Sequence, residues 1–315
     1  MKAYDQTALI TGASSGIGYE LAKCFAKDGY DLVLVSRNTD RLHQIADEFR
    51  QQYGLGKVTV IGADLSNPEA PQQVYDQVSG QGIEVSVLVN NAGVGEHGMF
   101  AHETDLQKEL AMIQTNATSL VHLTKLFLKD MTRRNEGKIL MLASVVSVLP
   151  NPLMAVYGAT KSFIYSFSEA LRNELKDSNI TVTALMPGAT NTDFFHKAGA
   201  EGTRAHQQAQ QTDAADVARD GYEALMSAKD KVVSGFKNKA QVAMAHVLPD
   251  PVVTANVRKL MERPTNGNGQ AGTEQKKQVA STGSLIGPLL VLGIAAFAYY
   301  NRDRLSEYKL SDLKW

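Results

Sequence analysis

The sequence predicts an α/β protein built around a parallel sheet, and two observations carry this prediction. Near-continuous apolar runs alternate with segments of helical periodicity over most of the chain, which is typical of parallel strands covered on both faces. A glycine-rich turn joins the first apolar run to the first helix. The apolar runs span residues 7–10, 31–36, 58–61, 85–89, 138–142 and 180–186, with a weaker run at 231–234. The later helical segments span residues 40–53, 68–78, 105–133, 156–177 and 213–227.

Composition sets the frame for these elements. The 315 residues are 43% hydrophobic with a net charge of -1, which suits one large globular domain plus an additional segment and gives no reason to expect a nucleic-acid partner. The single cysteine, Cys24, lies on the first helix and is expected to pack in the core. The seven histidines form no cluster with ligand spacing, so no metal site is expected. Residues 1–5 lead directly into the first strand, so we expect no signal peptide.

The glycine-rich turn has the spacing G-x-x-x-G-x-G between a strand and a helix. A glycine at the strand end permits a sharp turn, and a glycine at the helix start lets a diphosphate approach the backbone. The free N–H groups and the positive end of the helix dipole then form an anion site. A glycine-rich turn without a ligand is the alternative, but the strand–turn–helix context favours dinucleotide binding. The candidate contacts are Gly12, Ser14, Ser15, Gly16, Ile17 and Gly18.

Two charged residues follow the next two strands. Arg37 stands after neutral Ser36, where an NAD-selective site would place an acid, and its guanidinium suits a 2′-phosphate. The alternative for Arg37 is a solvated charge at a strand end. Asp64 follows the third strand, and its carboxylate suits either a cap on the next helix or the adenine amino group.

Tyr157 and Lys161 are four residues apart on a predicted helix and therefore share a face. A free tyrosine has a pKa of about 10, and a nearby ammonium group favours the phenolate and lowers that pKa. The pair is thus a candidate for proton transfer, although a tyrosine and a lysine often share a helix face without any function.

Taken together, the motifs resemble the short-chain dehydrogenase/reductase family. The resemblance covers roughly residues 5–235 and rests on the order and spacing of its parts. These are Thr11-Gly12-x-x-x-Gly16-x-Gly18, Asp64, Asn90-Asn91-Ala92-Gly93, Asn116, Ser144, Tyr157-x-x-x-Lys161 and Pro187-Gly188. The resemblance implies a doubly wound parallel sheet of about seven strands (a Rossmann fold), a nicotinamide dinucleotide cofactor of the NADP(H) type, and pairing of subunits through the two long helices into a homodimer or homotetramer.

The resemblance also implies catalytic roles. Tyr157 would be the general acid/base, and Lys161 would bind the nicotinamide ribose and lower the tyrosine pKa. Ser144 would bind the substrate oxygen, and Asn116 would hold a water that links Lys161 to solvent. Further cofactor contacts implied by the family pattern are Asp64 at the adenine, Asn90, Ala92 and Gly93 along the cofactor, and Pro187, Gly188, Thr190 and Thr192 near the nicotinamide.

The expected substrate is a small hydrophobic ketone or alcohol. The segment 145–154 and the loop with Phe194, Phe195 and His196 border the substrate in this family, and most of these residues are apolar. We therefore expect an NADP(H)-dependent carbonyl reductase or alcohol dehydrogenase. The alternative is a non-catalytic dinucleotide-binding sensor or membrane scaffold, which would be expected to have lost one of the four catalytic residues.

The C-terminal part lies beyond the resemblance. The catalytic domain is predicted over 1–235 and a helical extension over 236–263, with Asp250 as N-cap of a helix that carries Val253, Val257, Leu260 and Met261 on one side. A flexible linker is predicted over 264–283, a membrane-associated helix over 284–301 and a polar tail over 302–315.

The uncharged run 285–300 covers about 24 Å as a helix, against a hydrocarbon core of about 30 Å. A membrane anchor is the favoured interpretation, and an oligomerisation or docking helix is the alternative. Whether the segment spans, enters or lies on the membrane stays open. The expected location is a membrane, with the catalytic domain in the cytoplasm.

Overall fold

The computed structural model describes residues 6–245 and 247–264, and these contain one parallel sheet of seven strands. The strand order is β3-β2-β1-β4-β5-β6-β7, and every neighbouring pair is parallel. The predicted doubly wound α/β fold is therefore confirmed. The strands are β1 (Thr7–Thr11), β2 (Asp31–Ser36), β3 (Val58–Gly62), β4 (Val85–Asn90), β5 (Gly137–Leu142), β6 (Ile180–Met186) and β7 (Lys231–Val233).

Helices connect the strands and cover both faces of the sheet. They are α1 (Gly16–Lys27), α2 (Thr39–Tyr53), α3 (Ala70–Gly80), α4 (Leu106–Ile113), α5 (Ser119–Arg134), α6 (Ala155–Glu174), α7 (Phe194–Lys197), α8 (Arg204–Ala209), α9 (Ala214–Met226), α10 (Phe236–Ala245) and α11 (Asp250–Met261). The single helix predicted over 105–133 is interrupted, because a π-helical turn at Gln114–Thr118 separates α4 from α5. The sequence analysis did not predict α7 or α8, whereas α10 lies within the helical extension predicted over 236–263.

The two faces of the sheet form two separate hydrophobic clusters. Alternating strand side chains divide between them, so Leu34 contributes to one cluster and its neighbour Val33 to the other. The first cluster includes Phe25 of α1 and Leu225 of α9, and the second includes Phe127 of α5. The connections reverse direction between β1 and β4, which opens a crevice at the carboxyl ends of these strands.

The helical extension packs back on the domain. Val253, Val257 and Met261 of α11 are buried and Leu260 is partly buried, so the side of the helix that carries them faces the domain. The residue that precedes the helix is Pro249, so Asp250 is the first helical residue and the prediction of Asp250 as N-cap was wrong by one position.

Three side chains hold the end of α11 to the domain through its backbone carbonyls and the neighbouring loop. The His97 Nε2 lies 2.8 Å from the Met261 carbonyl oxygen, and Arg204 donates to the Lys259 carbonyl at 2.9 Å. Arg263 donates to the carbonyls of two residues in the loop before α8. The extension is therefore an integral part of the domain rather than a loosely attached segment.

Across residues 6–245 and 247–264, no helix is long and apolar enough to cross a bilayer. The predicted linker beyond residue 264, the membrane-associated segment 284–301 and the tail 302–315 lie outside the described residues.

Candidate active site

A cavity of about 1190 Å³ lies at the carboxyl ends of the central strands. It extends from the glycine-rich turn to α11, so it is large enough for a dinucleotide and a second ligand. Most of the predicted site residues line it. They are Gly12, Ser14, Ser15, Gly16, Ile17, Gly18, Arg37, Asp64, Ala92, Gly93, Ser144, Tyr157, Lys161, Pro187, Gly188, Thr190 and Thr192.

The glycine-rich turn has the geometry that a diphosphate requires. Gly12 and Gly16 have positive φ angles of 66° and 56°, which glycine adopts without strain. Ser15 precedes α1 without a capping hydrogen bond from its side chain, and the first turn of α1 carries no acid. The N–H groups at this helix end are therefore available to an anion, and the turn fits a dinucleotide diphosphate.

The adjacent Asn90 and Asn91 separate to opposite sides. Asn90 is buried and donates from Nδ2 to Thr124 of α5 at 2.9 Å, and it does not line the cavity. Asn91 lines the cavity and donates from Nδ2 to the Thr11 carbonyl at 2.8 Å, beside Gly12. The Asn90 side chain therefore lies outside the cavity that most of the predicted cofactor residues line, because successive side chains at a strand end point to opposite faces. Asn91 holds β4 to the glycine-rich turn.

The end of the cavity beside β2 and α2 carries two arginines. Arg37 lines the cavity as predicted, and Arg41 in the first turn of α2 lines it too, although the sequence analysis did not single it out. Asp64 accepts hydrogen bonds from the N–H and the hydroxyl of Ser66 at 3.0 Å and 2.8 Å. Desolvation acts to raise the pKa of Asp64, but the bonds from Ser66 and the charge of Arg37 outweigh it, so that pKa lies below its usual value. The carboxylate therefore shapes the turn before α3 at the cavity wall.

Ser144 and Tyr157 meet at the inner end of the cavity. Ser144 follows β5, and its hydroxyl oxygen accepts from the Val146 N–H at 3.3 Å and donates to the Pro187 carbonyl at the same distance. Tyr157 stands in the first turn of α6 with its ring 5.0 Å from that of Phe194. Burial raises the pKa of Tyr157 to about 12, and the Ser144 hydroxyl only partly opposes this rise.

Lys161 is 3% exposed and lies one turn after Tyr157. Its ammonium donates to the Leu142 carbonyl at 2.6 Å and lies 5.8 Å from the centre of the Tyr157 ring. Burial lowers the pKa of Lys161 to about 7. The expected lowering of the tyrosine pKa is therefore not what the structure shows, because desolvation opposes the charged form of each group and outweighs their proximity.

Asn116 is completely buried in the π-helical turn and does not line the cavity. Its Nδ2 donates to the Val94 carbonyl at 2.9 Å and to the Thr160 hydroxyl at 3.1 Å, and its Oδ1 accepts from the Val94 N–H at 2.9 Å. Gly93 lies between Asn116 and Lys161, since a Cβ atom there would stand 3.5 Å from each side chain. Asn116 thus ties the loop after β4 to α6, just behind Lys161.

Comparison with known proteins identifies the family. Residues 6–202 match the family model described as short chain dehydrogenase. The chain belongs to the short-chain dehydrogenase family. It is 38% identical over 185 residues to the very-long-chain 3-oxoacyl-CoA reductase of Anas platyrhynchos, covering 57% of this chain and 58% of that one. It is 34% identical over 193 residues to the human 17-beta-hydroxysteroid dehydrogenase type 3, covering 61% of each chain.

The aligned region thus spans less than two thirds of the length of these two relatives. Among solved structures, a short-chain dehydrogenase from Sphingobium yanoikuyae in complex with NADPH superposes with a TM-score of 0.68 at 28% identity, covering 84% of this chain and 98% of that one. That solved neighbour is a short-chain dehydrogenase and holds NADPH.

The end of the cavity beyond Tyr157 has several apolar lining residues. Phe194 and Phe195 line the cavity, whereas His196 is exposed, pairs with Glu201 at 2.9 Å and does not line it. The C-terminal extension supplies walls that the sequence analysis did not place there. These are Phe236, Lys237, Asn238 and Gln241 of α10 and Val257, Leu260 and Met261 of α11.

Asn151 is an unusual polar residue in this part of the cavity. It is 7% exposed, lines the cavity, and its side-chain nitrogen and oxygen have no hydrogen-bond partner among the described residues. A buried amide without partners costs free energy, so a ligand group that bonds to it would be favoured.

Proposed function

We propose that this dehydrogenase uses NADP(H) to interconvert a carbonyl and a hydroxyl group on a hydrophobic substrate. The observation that carries the proposal is the convergence of Ser144, Tyr157 and Lys161 at the inner end of the same cavity that begins at the glycine-rich turn. The nicotinamide dinucleotide, when bound, supplies or accepts the hydride. The protein residues bind and orient the substrate and handle the proton.

Tyr157 is the proposed proton donor in the reducing direction. With its pKa raised to about 12, its hydroxyl carries a proton at neutral pH and is ready to give it to a developing alkoxide. Ser144 lies beside it and is the proposed hydrogen-bond donor to the same substrate oxygen. Lys161 is proposed to bind the nicotinamide ribose. Asn116 is proposed to hold the loop after β4 in position, beside the water that is expected to link Lys161 to solvent.

Arg37 and Arg41 support a preference for NADP(H). Both line the adenosine end of the cavity, and neutral Ser36 precedes the first of them. A guanidinium group binds a phosphate through parallel N–H donors, whereas an NAD-selective site would offer a carboxylate to the ribose hydroxyls. The similarity to a dehydrogenase solved with NADPH points in the same direction.

The proposed substrate is long and mostly apolar. The inner wall contains Met154, Phe194 and Phe195, and α11 closes it with Leu260 and Met261. The names of the two relatives suggest which compounds to test first, namely long-chain 3-oxoacyl thioesters and 17-ketosteroids.

Turnover of these compounds with NADPH, followed by loss of cofactor absorbance, tests the proposal. Tyr157→Phe removes the hydroxyl and keeps the ring, so turnover should fall by at least about a hundredfold while NADPH still binds. Tyr165→Phe on the same helix is the matched control, since its hydroxyl bonds to Lys231 at the surface and should be dispensable for turnover. NADPH binding without turnover of any ketone would instead favour the non-catalytic sensor or scaffold.

Self-association is proposed through α4 and α6. Leu106, Leu110 and Ile113 on α4 are 63%, 49% and 39% exposed, and Phe163 on α6 is 45% exposed. Apolar side chains at positions i, i+4 and i+7 form one stripe of a helix, and such a stripe is usually covered by another surface. A homodimer or homotetramer is the proposed state, and Leu110→Glu should shift it to monomer in light scattering.

Membrane association through the segment 284–301 is proposed from the sequence, with the catalytic domain in the cytoplasm. The support is an uncharged run of sixteen residues with two tyrosines at its end. The full-length protein should remain with membranes through a high-salt wash.

A further inference from the structure

Helix α10 carries apolar residues on its outer side. Phe236 is 85% exposed, Met244 is 39% exposed, and Val247 just after the helix is 52% exposed. Ala240 and Ala243 are exposed as well, and with 3.6 residues per turn they share a side with Phe236. We call these five residues the outer face of α10. None of the residues of α10 is fully buried.

The inner side of α10 contacts the loops around the cavity through polar residues. Asn238 donates to the Ser234 carbonyl at 2.6 Å and packs directly on Gly188 after β6. Gln241 lines the cavity, and the helix contacts the short 3-10 helix that follows Ser144. Asn238, Gln241 and Ala245, which packs against the cluster of Leu149, Val253 and Val257, therefore face the domain, and most of the outer face is exposed.

Lysines border the outer face on both sides. At 100° per residue, Lys237 and Lys239 lie on opposite flanks of the line through Phe236 and Ala240, and both are exposed. The segment 236–264 contains five Lys or Arg against two Asp or Glu, a net charge of +3, whereas the whole chain has a net charge of -1. An apolar stripe flanked by lysines is the pattern of a helix that lies in the interface of an anionic membrane.

We infer that the outer face of α10 docks on the surface of an anionic bilayer. Phe236, Met244 and Val247 enter the boundary between headgroups and acyl chains, and Lys237 and Lys239 extend to the headgroups. Because Phe236 also lines the cavity, docking brings the cavity rim to the lipid surface, and on the proposed function this lets a hydrophobic substrate enter from the bilayer.

Charge argues against two other occupants of this face. A second copy of the chain in a two-fold arrangement would bring the lysines of the two faces together, and like charges oppose such pairing. The chain's own run 285–300 carries no charge, so it offers nothing to the flanking lysines.

The test uses the full-length chain and reads no turnover, so its outcome is independent of the proposed reaction. A cysteine is introduced at the centre of the outer face by Ala243→Cys and, as a control, at an exposed position of α2 by Gln52→Cys. Both carry Cys24→Ala and an environment-sensitive fluorophore. The probe is a vesicle of phosphatidylcholine and phosphatidylserine that contains a lipid-attached doxyl quencher.

We expect strong quenching at position 243 and none at position 52. Lys237→Gln combined with Lys239→Gln should weaken this docking by about 25-fold, at about fivefold per lysine near an anionic surface. The same exchange at exposed Lys125 and Lys129 of α5 is the matched control and should have no effect.

Three results would overturn the inference. Emission typical of water at position 243 would mean that the face stays solvated. A blue shift that depends on protein concentration but not on the lipid quencher would mean that a second copy covers the face. A blue shift independent of both would mean that the chain's own apolar segment covers it.

Discussion

Lys161 donates its 2.6 Å hydrogen bond to the carbonyl oxygen of Leu142, at the end of β5. This contact fixes the lysine between the sheet and α6, where desolvation rather than a neighbouring charge determines its protonation. With its pKa lowered to about 7 by burial, Lys161 loses its proton far more readily than an exposed lysine does.

The first prediction concerns pH and stability. The folded pKa of Lys161 is about 7 and its ordinary value is 10.5, so between these values the unfolded chain binds a proton that the folded chain lacks. Stability from this group is therefore lost as pH falls and gained as pH rises, by up to about 1.4 kcal/mol per pH unit. Urea unfolding between pH 7 and 9 should show this slope in the wild type and a smaller one in Lys161→Met. Lys176→Met, at an exposed site, should keep the wild-type slope, and equal slopes in all three proteins would contradict the assignment.

The second prediction concerns the cofactor phosphate. Arg37→Ala and Arg41→Ala should each weaken NADPH binding by about tenfold or more, because a hydrogen bond to a charged group contributes about 1.5–3 kcal/mol. NADH binding should change little, since NADH lacks the 2′-phosphate. Titration calorimetry measures both, with Arg133→Ala on α5 as a control for the loss of a surface charge. Equal losses for both cofactors would show that the arginines act on the fold.

The strands and long helices were predictable because their signal is local. Each predicted strand lies within one or two residues of an observed one, since an unbroken apolar run needs no distant information. The interruption at Gln114–Thr118 was not predictable, because the apolar period continues through it and no glycine or proline marks it. Its consequence is functional, since it presents Asn116 to the loop after β4.

The presence of Ser144, Tyr157 and Lys161 at one end of the cavity was predictable from motifs, but the walls of the cavity were not. The spacing of Ser144, Tyr157 and Lys161 can be read directly from the sequence. In contrast, α11 reaches the cavity through packing between parts of the chain about a hundred residues apart. The Asn90-Asn91 pair shows a further limit of prediction from the sequence. Two identical neighbours offer no chemical difference, and only the direction of the strand decides which one meets the glycine-rich turn.

The third prediction tests the close packing of the glycine-rich turn. A Cβ atom on Gly18 would overlap the Gly12 carbonyl oxygen and the Asn91 amide, so Gly18→Ala should lower both stability and cofactor affinity. Gly80→Ala at the end of α3 is the matched control, because nothing lies within 4 Å of its Cβ position. Because Gly80 is helical, this exchange should raise the free energy of unfolding of the protein by up to about 1 kcal/mol. Denaturant unfolding distinguishes the two variants, and a Gly18→Ala protein as stable as the wild type would show that the turn is less tightly packed than described.

The last prediction concerns Asn151, whose buried amide has neither donor nor acceptor satisfied within the described part of the chain. Asn151→Leu keeps a similar volume and removes two unpaired polar atoms, so the free energy of unfolding should stay the same or rise, since such an exchange is neutral or stabilising. If the amide binds a polar group of the substrate, KM should rise by about fivefold or more with this variant, for a lost hydrogen bond of about 1 kcal/mol or more.

Asn90→Leu provides the matched control at a buried asparagine outside the cavity. It removes the 2.9 Å bond to Thr124 and leaves that buried hydroxyl without its donor, so it should cost about 1–3 kcal/mol of stability without changing KM. Steady-state kinetics and urea unfolding on both variants distinguish a substrate-binding role of Asn151 from a structural one. If Asn151 is purely structural, Asn151→Leu should lower the free energy of unfolding and leave KM unchanged. The opposite pattern, with stability retained and KM raised, identifies Asn151 as the residue that selects a substrate with a second polar group near the reacting carbonyl.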